Sequence, residues 1–543
     1  MSELNTAEAI VKSLEAEGIQ YVFGVPGEEN LDILEALRKS SKIRFIVTRH
    51  EQAAGFMAAT IGRFTGVPGV ALSTLGPGAT NLVTAAAYAQ LGGMPLLMIS
   101  GQKPIRRSKQ GAFQIIDVVD MMKPITKFSK QLVEGSLAAS HVREAVRLAS
   151  EERPGAALIE LPEDIASEKV SIEPILPSNA RRPVAEAKAI SATVELLKNA
   201  KHPLIVVGSG ANRKRTSNML TQLVKGFDIP FVNTQMGKGV IDERLEQFAG
   251  TAALSEGDYV HRSIEQADVI LNVGHDIVEK PPFVMNKDTR VVHINFESAV
   301  VNDIYHPRLE VIGDIANAIW QIHESLEDVR DQLDWDTTYH LETKKTLDQE
   351  FETAVTGAST ITPQVLVNQV RDTLPDDGIV ALDNGMYKIW FARHFVTMLE
   401  NTLLLDNALA TMGAGLPSAI AAKLVEPDKK VVAVVGDGGF MMNSQELETA
   451  IRLELDLTVL ILNDSSFQMI RWKQEAQGLD DFGLQFNNPN FVDYAKSYGA
   501  KAVAVTTPDE LESELTRAVN DKGVHVIDVQ FDYSKNAESL KTN

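Results

Sequence analysis

Short apolar runs alternating with helical stretches recur three times along this chain, and that alternation leaves few folds open. In the first stretch Asn5 and Thr6 are capping candidates and Glu8 sits in the first turn. Ala7, Ile10, Val11 and Leu14 follow at helical spacing, and Gly18 stops the helix. Residues 19–23 predict a strand that ends in Gly24-Val25-Pro26-Gly27, and the pattern continues with a helix over 31–38, a strand over 43–47, a helix over 51–62 and a strand over 69–73. Strands alternating with helices of about 10–15 residues predict a parallel sheet covered on both faces. A second such pattern opens at Pro203-Leu204-Ile205-Val206-Val207-Gly208 and runs to about Ile322. A third runs from Thr362 to about Phe531, with strands over 378–382, 430–435, 457–462 and 524–529.

At roughly 150 residues per domain, 543 residues suit three or four such units. The expected class is α/β, with three doubly wound parallel-sheet domains over 1–166, 188–325 and 362–543. A polar linker with three prolines, 167–187, separates the first two, and a connector over 326–361 separates the last two. Its charged, Pro-free part, 326–352, predicts a solvated helix.

Composition removes several chemistries. There are no cysteines, so disulfides, thiolate nucleophiles, iron–sulfur clusters and Cys-type zinc sites are excluded. Asp and Glu number 73 against 52 Lys and Arg, a net charge of −21, which disfavours binding to nucleic-acid backbones. Residues 64–102 contain no charge, but Gly76-Pro77-Gly78, Gly92-Gly93 and Pro95 interrupt them, so they predict buried strand, turn, helix and strand rather than a membrane span. No basic stretch leads into an apolar core at the N-terminus. The expectation is a soluble cytoplasmic protein.

The most informative motif is Val431-Val432-Ala433-Val434-Val435-Gly436-Asp437-Gly438-Gly439-Phe440, an apolar strand that delivers a carboxylate among glycines. A helix is expected from Ser444, and a second apolar strand over 457–462 then ends in Asn463-Asp464. A right-handed strand–helix–strand unit brings both acids to the carboxyl edge of the sheet. Two carboxylates there, with glycine amides beside them, suit Mg²⁺ bridging to a diphosphate. Taken singly, Asp437 and Asp464 read as turn or cap residues.

Together these residues resemble the binding motif of thiamine-diphosphate-dependent enzymes, and the Asp464 variant resembles that of the FAD-independent, catabolic acetolactate synthases. The resemblance spans nearly the whole chain, as pyrimidine-binding, middle and diphosphate-binding domains. It implies Mg²⁺ held by Asp437, Asp464 and the Ser466 carbonyl. Thr411-Met412-Gly413-Ala414-Gly415-Leu416-Pro417 is similar to the segment that bends the cofactor over Met412. Gly385, Ala410, Gly436, Gly438, Gly439 and Met469 complete the implied cofactor contacts.

In the first domain Arg49-His50-Glu51-Gln52 puts a carboxyl group at a helix start. By itself it is a dipole-stabilised carboxylate; the resemblance makes Glu51 the catalytic side chain, set against N1′ of the cofactor pyrimidine. The resemblance further places Pro77 and Asn81, in Leu75-Gly76-Pro77-Gly78-Ala79-Thr80-Asn81, on the pyrimidine. Phe113 and Gln114 of Ala112-Phe113-Gln114, Lys127, and the Gly24-Val25 backbone fall beside the substrate.

What the resemblance implies is an acetolactate synthase that condenses two pyruvates to 2-acetolactate with loss of CO₂, by way of a hydroxyethyl carbanion on the cofactor. Pyruvate and other small 2-oxo acids are the expected partners, with no nucleic acid and no membrane. A homodimer or homotetramer with sites between subunits is implied; the sequence carries no signal for or against a regulatory subunit. FAD is not expected. The middle domain offers only Gly208-Ser209-Gly210, and Gly274-His275-Asp276-Ile277-Val278-Glu279-Lys280 replaces the segment that contacts FAD in biosynthetic relatives. Met386-Tyr387 replaces a Gln-His pair of those relatives, and Met469-Ile470-Arg471-Trp472 follows the catabolic pattern. A 2-oxo acid decarboxylase and a flavin-dependent pyruvate oxidase are the alternatives.

Overall fold

Asn5 caps the first helix, Thr6–Ala16, in a reciprocal box. Its side chain accepts from the Glu8 amide at 2.8 Å, and Glu8 accepts from the Asn5 amide at 3.0 Å. The computed structural model describes residues 4–106, 111–178, 182–252, 260–279, 288–301 and 303–534, so Lys280 lies outside the described residues.

Three six-stranded parallel sheets carry the fold. The first holds β1 (Tyr21–Gly24), β2 (Arg44–Val47), β3 (Gly69–Ser73), β4 (Leu96–Gln102), β5 (Phe128–Gln131) and β6 (Ala156–Pro162), in the spatial order β2-β1-β3-β4-β6-β5. The second holds β7 (Pro203–Val207), β8 (Phe231–Asn233), β9 (Phe248–Thr251), β10 (Val269–Val273), β11 (Arg290–Asn295) and β12 (Leu309–Ile312), in the order β9-β8-β7-β10-β11-β12. The third holds β13 (Ile379–Leu382), β14 (Leu403–Leu404), β15 (Val431–Gly436), β16 (Leu457–Asn463), β17 (Lys501–Val505) and β18 (Val524–Gln530), in the order β14-β13-β15-β16-β18-β17. The first and third sheets thus share one strand order, and each reverses direction between its first and third strands. Ligands of such sheets bind outside the carboxyl ends at that reversal.

The uncharged stretch 64–102 resolves as β3, the helices Pro77–Asn81 and Val83–Gly92, and β4, as its sequence predicts. Among the described residues no helix is long and apolar enough to cross a membrane. Glu51–Thr65 packs against Gly415–Val425, with the Thr60 hydroxyl 3.1 Å from that of Ser418, and one apolar core runs through both the first and third domains. The buried Glu446 carboxylate accepts the Arg49 amide at 3.0 Å, tying the turn before Glu51 to the third domain.

Two stretches differ from expectation. Over 326–352 the helix is interrupted: Ile315–Glu327 ends, and Leu341–Val355 begins only after an irregular segment. Trp335 donates to the Leu197 carbonyl at 2.8 Å, and His340 is buried with Nε2 2.8 Å from the Glu246 carbonyl. Charge density suggests a solvated helix here, but the aromatic groups pin the segment to the middle domain. In 167–187, Lys169–Val170 pairs antiparallel with Leu4–Asn5, so part of the linker is a strand that fastens the start of the first helix.

Candidate functional site

β15 and β16 run in register, Gly436 opposite Leu462, so Asp437 and Asp464 emerge together at the carboxyl edge of the third sheet. Asp437 is buried. Its Oδ1 accepts from the Gly438 amide at 2.7 Å; its Oδ2 accepts from the amides of Asp464 (3.0 Å) and Ser465 (2.6 Å) and from Asn488 Nδ2 (2.7 Å). The carboxylate therefore holds the second loop in place, including Ser465 at φ +56°. Burial, and then the neighbouring Asp437 carboxylate, push Asp464 up to about 7, and Gln468 donates to it. Two acids forced together in this way are a donor set for a cation.

The helix expected from Ser444 starts earlier. Asp437–Asn443 is already helical, followed by the 3-10 turn Ser444–Glu446 and the helix Leu447–Arg452. The glycines after Asp437 serve close packing rather than an open turn. A Cβ on Gly439 would lie 2.1 Å from Asp383 Oδ2, and one on Gly438 would lie 2.8 Å from the Phe467 ring.

A cavity of about 380 Å³ opens beside the acids. It is lined by Gly385, Gly436, Gly438 and Gly439, by Asp437, Asp464 and Ser466, and by Ala410, Met412 and Met469. Every third-domain residue expected at the site lines this one space. Met386 and Tyr387 line it too, and the buried Tyr387 hydroxyl accepts the Gly436 amide at 3.1 Å beneath the Asp437 turn. Trp472 lines a neighbouring groove instead. The Ser466 hydroxyl is buried without a hydrogen-bond partner. Ala410 is held at φ +55° with its amide 3.0 Å from the Asp406 carboxylate; such conformers cost about 1–3 kcal/mol and cluster at functional sites.

Two residues of this site escape sequence reasoning. Asp383, at the end of β13, accepts from the amides of Gly413 (3.0 Å) and Ala414 (3.2 Å) and so holds the Met412 segment. Burial pushes its carboxyl group up to about 6 against those amides. The signal was present, an acid at a strand end beside Asn384-Gly385. Asn488 carried no comparable signal; it sits in an irregular segment and also reaches Asn463 Oδ1 at 3.0 Å.

At the carboxyl edge of the first sheet a second cluster forms. Glu51 opens its helix, is buried, and accepts from Asn81 Nδ2 at 2.9 Å. Pro77 starts the helix that carries Asn81, and a Cβ on Gly78 would come within 3.2 Å of Glu51 Oε1. Gly24 lies so close to β3 that a Cβ would meet the Leu72 carbonyl at 2.2 Å, and Val25 follows it at the same edge. Gln114, at φ +58°, brings its carbonyl against Gly76, while Phe113 is 63% exposed. Lys127 lies apart. It precedes β5 at the opposite edge, where its Nζ donates to the carbonyls of Glu151 (2.9 Å) and Arg153 (2.7 Å). None of these first-domain residues lines the third-domain cavity.

The chain matches known proteins as a whole and domain by domain. Residues 4–121 match the thiamine pyrophosphate enzyme N-terminal TPP binding domain, 190–322 the central domain, and 383–529 the C-terminal TPP binding domain. The chain is 33% identical to the acetolactate synthase of Bacillus subtilis (strain 168) over 98% of its length and 94% of that protein. The chain belongs to the thiamine-diphosphate-dependent acetolactate synthase family. It is also 32% identical to the catabolic acetolactate synthase of Raoultella terrigena, covering 98% of this chain and 95% of that one. A probable acetolactate synthase large subunit of Methanocaldococcus jannaschii is 30% identical over 97% and 92%.

Thiamine diphosphate fits what the family's third domain shows in this chain. The cavity falls within the range of about 300–1,000 Å³ for small-molecule sites. Among the described residues no cluster of three acidic or His side chains could hold a metal alone. Mg²⁺ is typically bound by one or two carboxylates plus phosphate oxygens, which suits Asp437 and Asp464. Asp383 gives a direct test of how the Met412 segment is held. Asp383→Ala frees the Gly413 and Ala414 amides and is expected to weaken thiamine diphosphate affinity about 10–100-fold, the range for residues that orient ligands. Fluorescence titration of the variant checks it, and unchanged affinity would show that the segment holds itself.

Proposed function

We propose that this chain is an acetolactate synthase that condenses two pyruvates to 2-acetolactate with release of CO₂, uses thiamine diphosphate with Mg²⁺, and does not use FAD. One observation carries the reading. The diphosphate-side residues share one cavity in the third domain, while Glu51, Pro77 and Asn81 cluster on a separate sheet edge outside it. Each cluster is half of a site, so a second copy of the chain supplies the other half, and the working form is a cytoplasmic homodimer or homotetramer. Asp437, Asp464 and the Ser466 carbonyl would hold Mg²⁺; Gly385, Gly436, Gly438 and Gly439 would admit the diphosphate, and Ala410, Met412 and Met469 line the same cavity.

When bound, thiamine diphosphate supplies an acidic carbon and an electron sink. The protein supplies position and protons. Glu51 holds a proton at the pyrimidine N1′, and Asn81 fixes its carboxyl group through Oε2. Phe113 and Gln114 lie on the exposed face that the second copy covers, where they shape the pyruvate pocket next to the Gly24-Val25 backbone. Small 2-oxo acids other than pyruvate fit the same apolar surroundings, since one methylene changes discrimination by only about 1–3 kcal/mol.

Product analysis by NMR, with pyruvate, thiamine diphosphate and Mg²⁺, with and without FAD, tests the reading. Acetolactate formed at the same rate in both is the expected result. Acetaldehyde alone would make the enzyme a decarboxylase, and turnover only with FAD would make it an oxidase.

A further inference from the structure

Counted from β7, the middle sheet has the order 3-2-1-4-5-6, and its connections reverse between β7 and β10. In a doubly wound sheet of this order the loops at that reversal frame the crevice for phosphorylated ligands. Here they are Gly208-Ser209-Gly210 after β7 and Gly274-His275-Asp276 after β10. The crevice beside them measures about 190 Å³, and a larger cavity of about 570 Å³ adjoins it at Ser209 and Arg213.

Glu279 lines the crevice and takes up the amides of both loops. It is 6% exposed, and its Oε2 accepts from the amides of Ser209 at 3.0 Å and Asp276 at 3.1 Å, while Oε1 accepts from the Thr234 hydroxyl. Amides from successive loops converging on one anionic oxygen are what such turns offer a phosphate. In this chain the anion is a side chain of the same domain. The arginines lining the crevice are committed as well. Arg153 donates to the carbonyls of Gln90 and Leu91 and pairs with Asp276; Arg213 pairs with Glu152 at 3.3 Å. Burial pushes Glu279 up to about 7, and the three donors work against that shift.

We propose that Glu279 is an internal stand-in for a phosphate group and that it excludes phosphorylated nucleotides, dinucleotides included, from the middle-domain crevice. This rests on the FAD-free reading above and gives it a cause. Cutting the side chain back to Cβ widens the crevice and frees the Ser209 and Asp276 amides beside it.

The test uses the full chain with saturating thiamine diphosphate and Mg²⁺, so that the third-domain site is filled. ADP and FAD are titrated against wild type, Glu279→Ala and Glu279→Ser, read by melting temperature and by flavin fluorescence. Wild type is expected to show no saturable response at millimolar ligand. Each folded variant is expected to show a saturable rise of about 2–4 °C with ADP, the size that ligand linkage gives a domain of this kind. Saturable binding of FAD to wild type would overturn both the FAD-free reading and the role of Glu279. A silent wild type with folded variants that also stay silent would overturn the role of Glu279 alone. The serine variant offers a hydroxyl to the freed amides and keeps the test open if alanine does not fold.

Discussion

Glu51→Gln is expected to lower acetolactate formation about 10²–10⁴-fold, the usual contribution of a positioned proton-transfer group, while the protein melts within about 1–2 °C of wild type. The two halves of that expectation have separate causes. Glu51 is buried at the start of its helix, and the hydrogen bond that it accepts from Asn81 can be kept by the glutamine oxygen. Loss of charge at a helix N-terminus costs only about 0.3–1 kcal/mol, so the fold has little reason to change. What glutamine cannot do is hold and return a proton at the pyrimidine. The decisive measurement is the rate at saturating thiamine diphosphate and pyruvate, beside a melting curve. Full activity in the variant would remove Glu51 from the mechanism and leave only its packing role.

Asp437→Ala is expected to fail in a different manner, by losing the cofactor. Its carboxylate is the shared acceptor for Gly438, Asp464, Ser465 and Asn488, so removal strands several half-buried donors at once. A fully buried stranded donor costs about 1–3 kcal/mol, and each of these half-buried ones costs less. The loop that carries Asp464 and Ser466 then loses its anchor together with half of the acid pair. Affinity for thiamine diphosphate in the presence of Mg²⁺ should fall at least about 100-fold, the loss equivalent to about 2.7 kcal/mol. Asp437→Asn separates the causes, because it keeps part of the acceptor set but removes the charge. Titration calorimetry of both variants reads the result; an asparagine variant that binds as tightly as wild type would mean that the cation is held elsewhere.

How much of this was legible in the sequence follows from where each signal resides. β3 spans the residues its periodicity indicates, and β15 and β16 lie within one residue of theirs, because an apolar run between turn residues is a local property. Asp437 and Asp464 were legible for the same reason, as acids at the ends of two such runs. The Asp437–Asn443 helix was not, since three glycines in four residues argue for a turn unless Asp383 and Phe467 are known to press on them. Asn488 and the bracing of Tyr387 under Gly436 depend on partners about 50 residues away, and no window of sequence contains both ends. The segment around Trp335 was misread because charge was counted and the anchoring aromatic group was not.

The apolar core common to the first and third domains has a consequence for how the molecule comes apart. Ala53, Phe56 and Leu82 belong to the same packed cluster as Leu416, Ala419 and Phe440, whereas the middle sheet encloses clusters of its own. Heat or denaturant that loosens either outer sheet removes a wall of the other, so those two melt as a single cooperative block. Sequence drift on one side of that junction is therefore constrained by the other, and a substitution such as Ala53→Gly is felt by residues some 360 positions further along the chain.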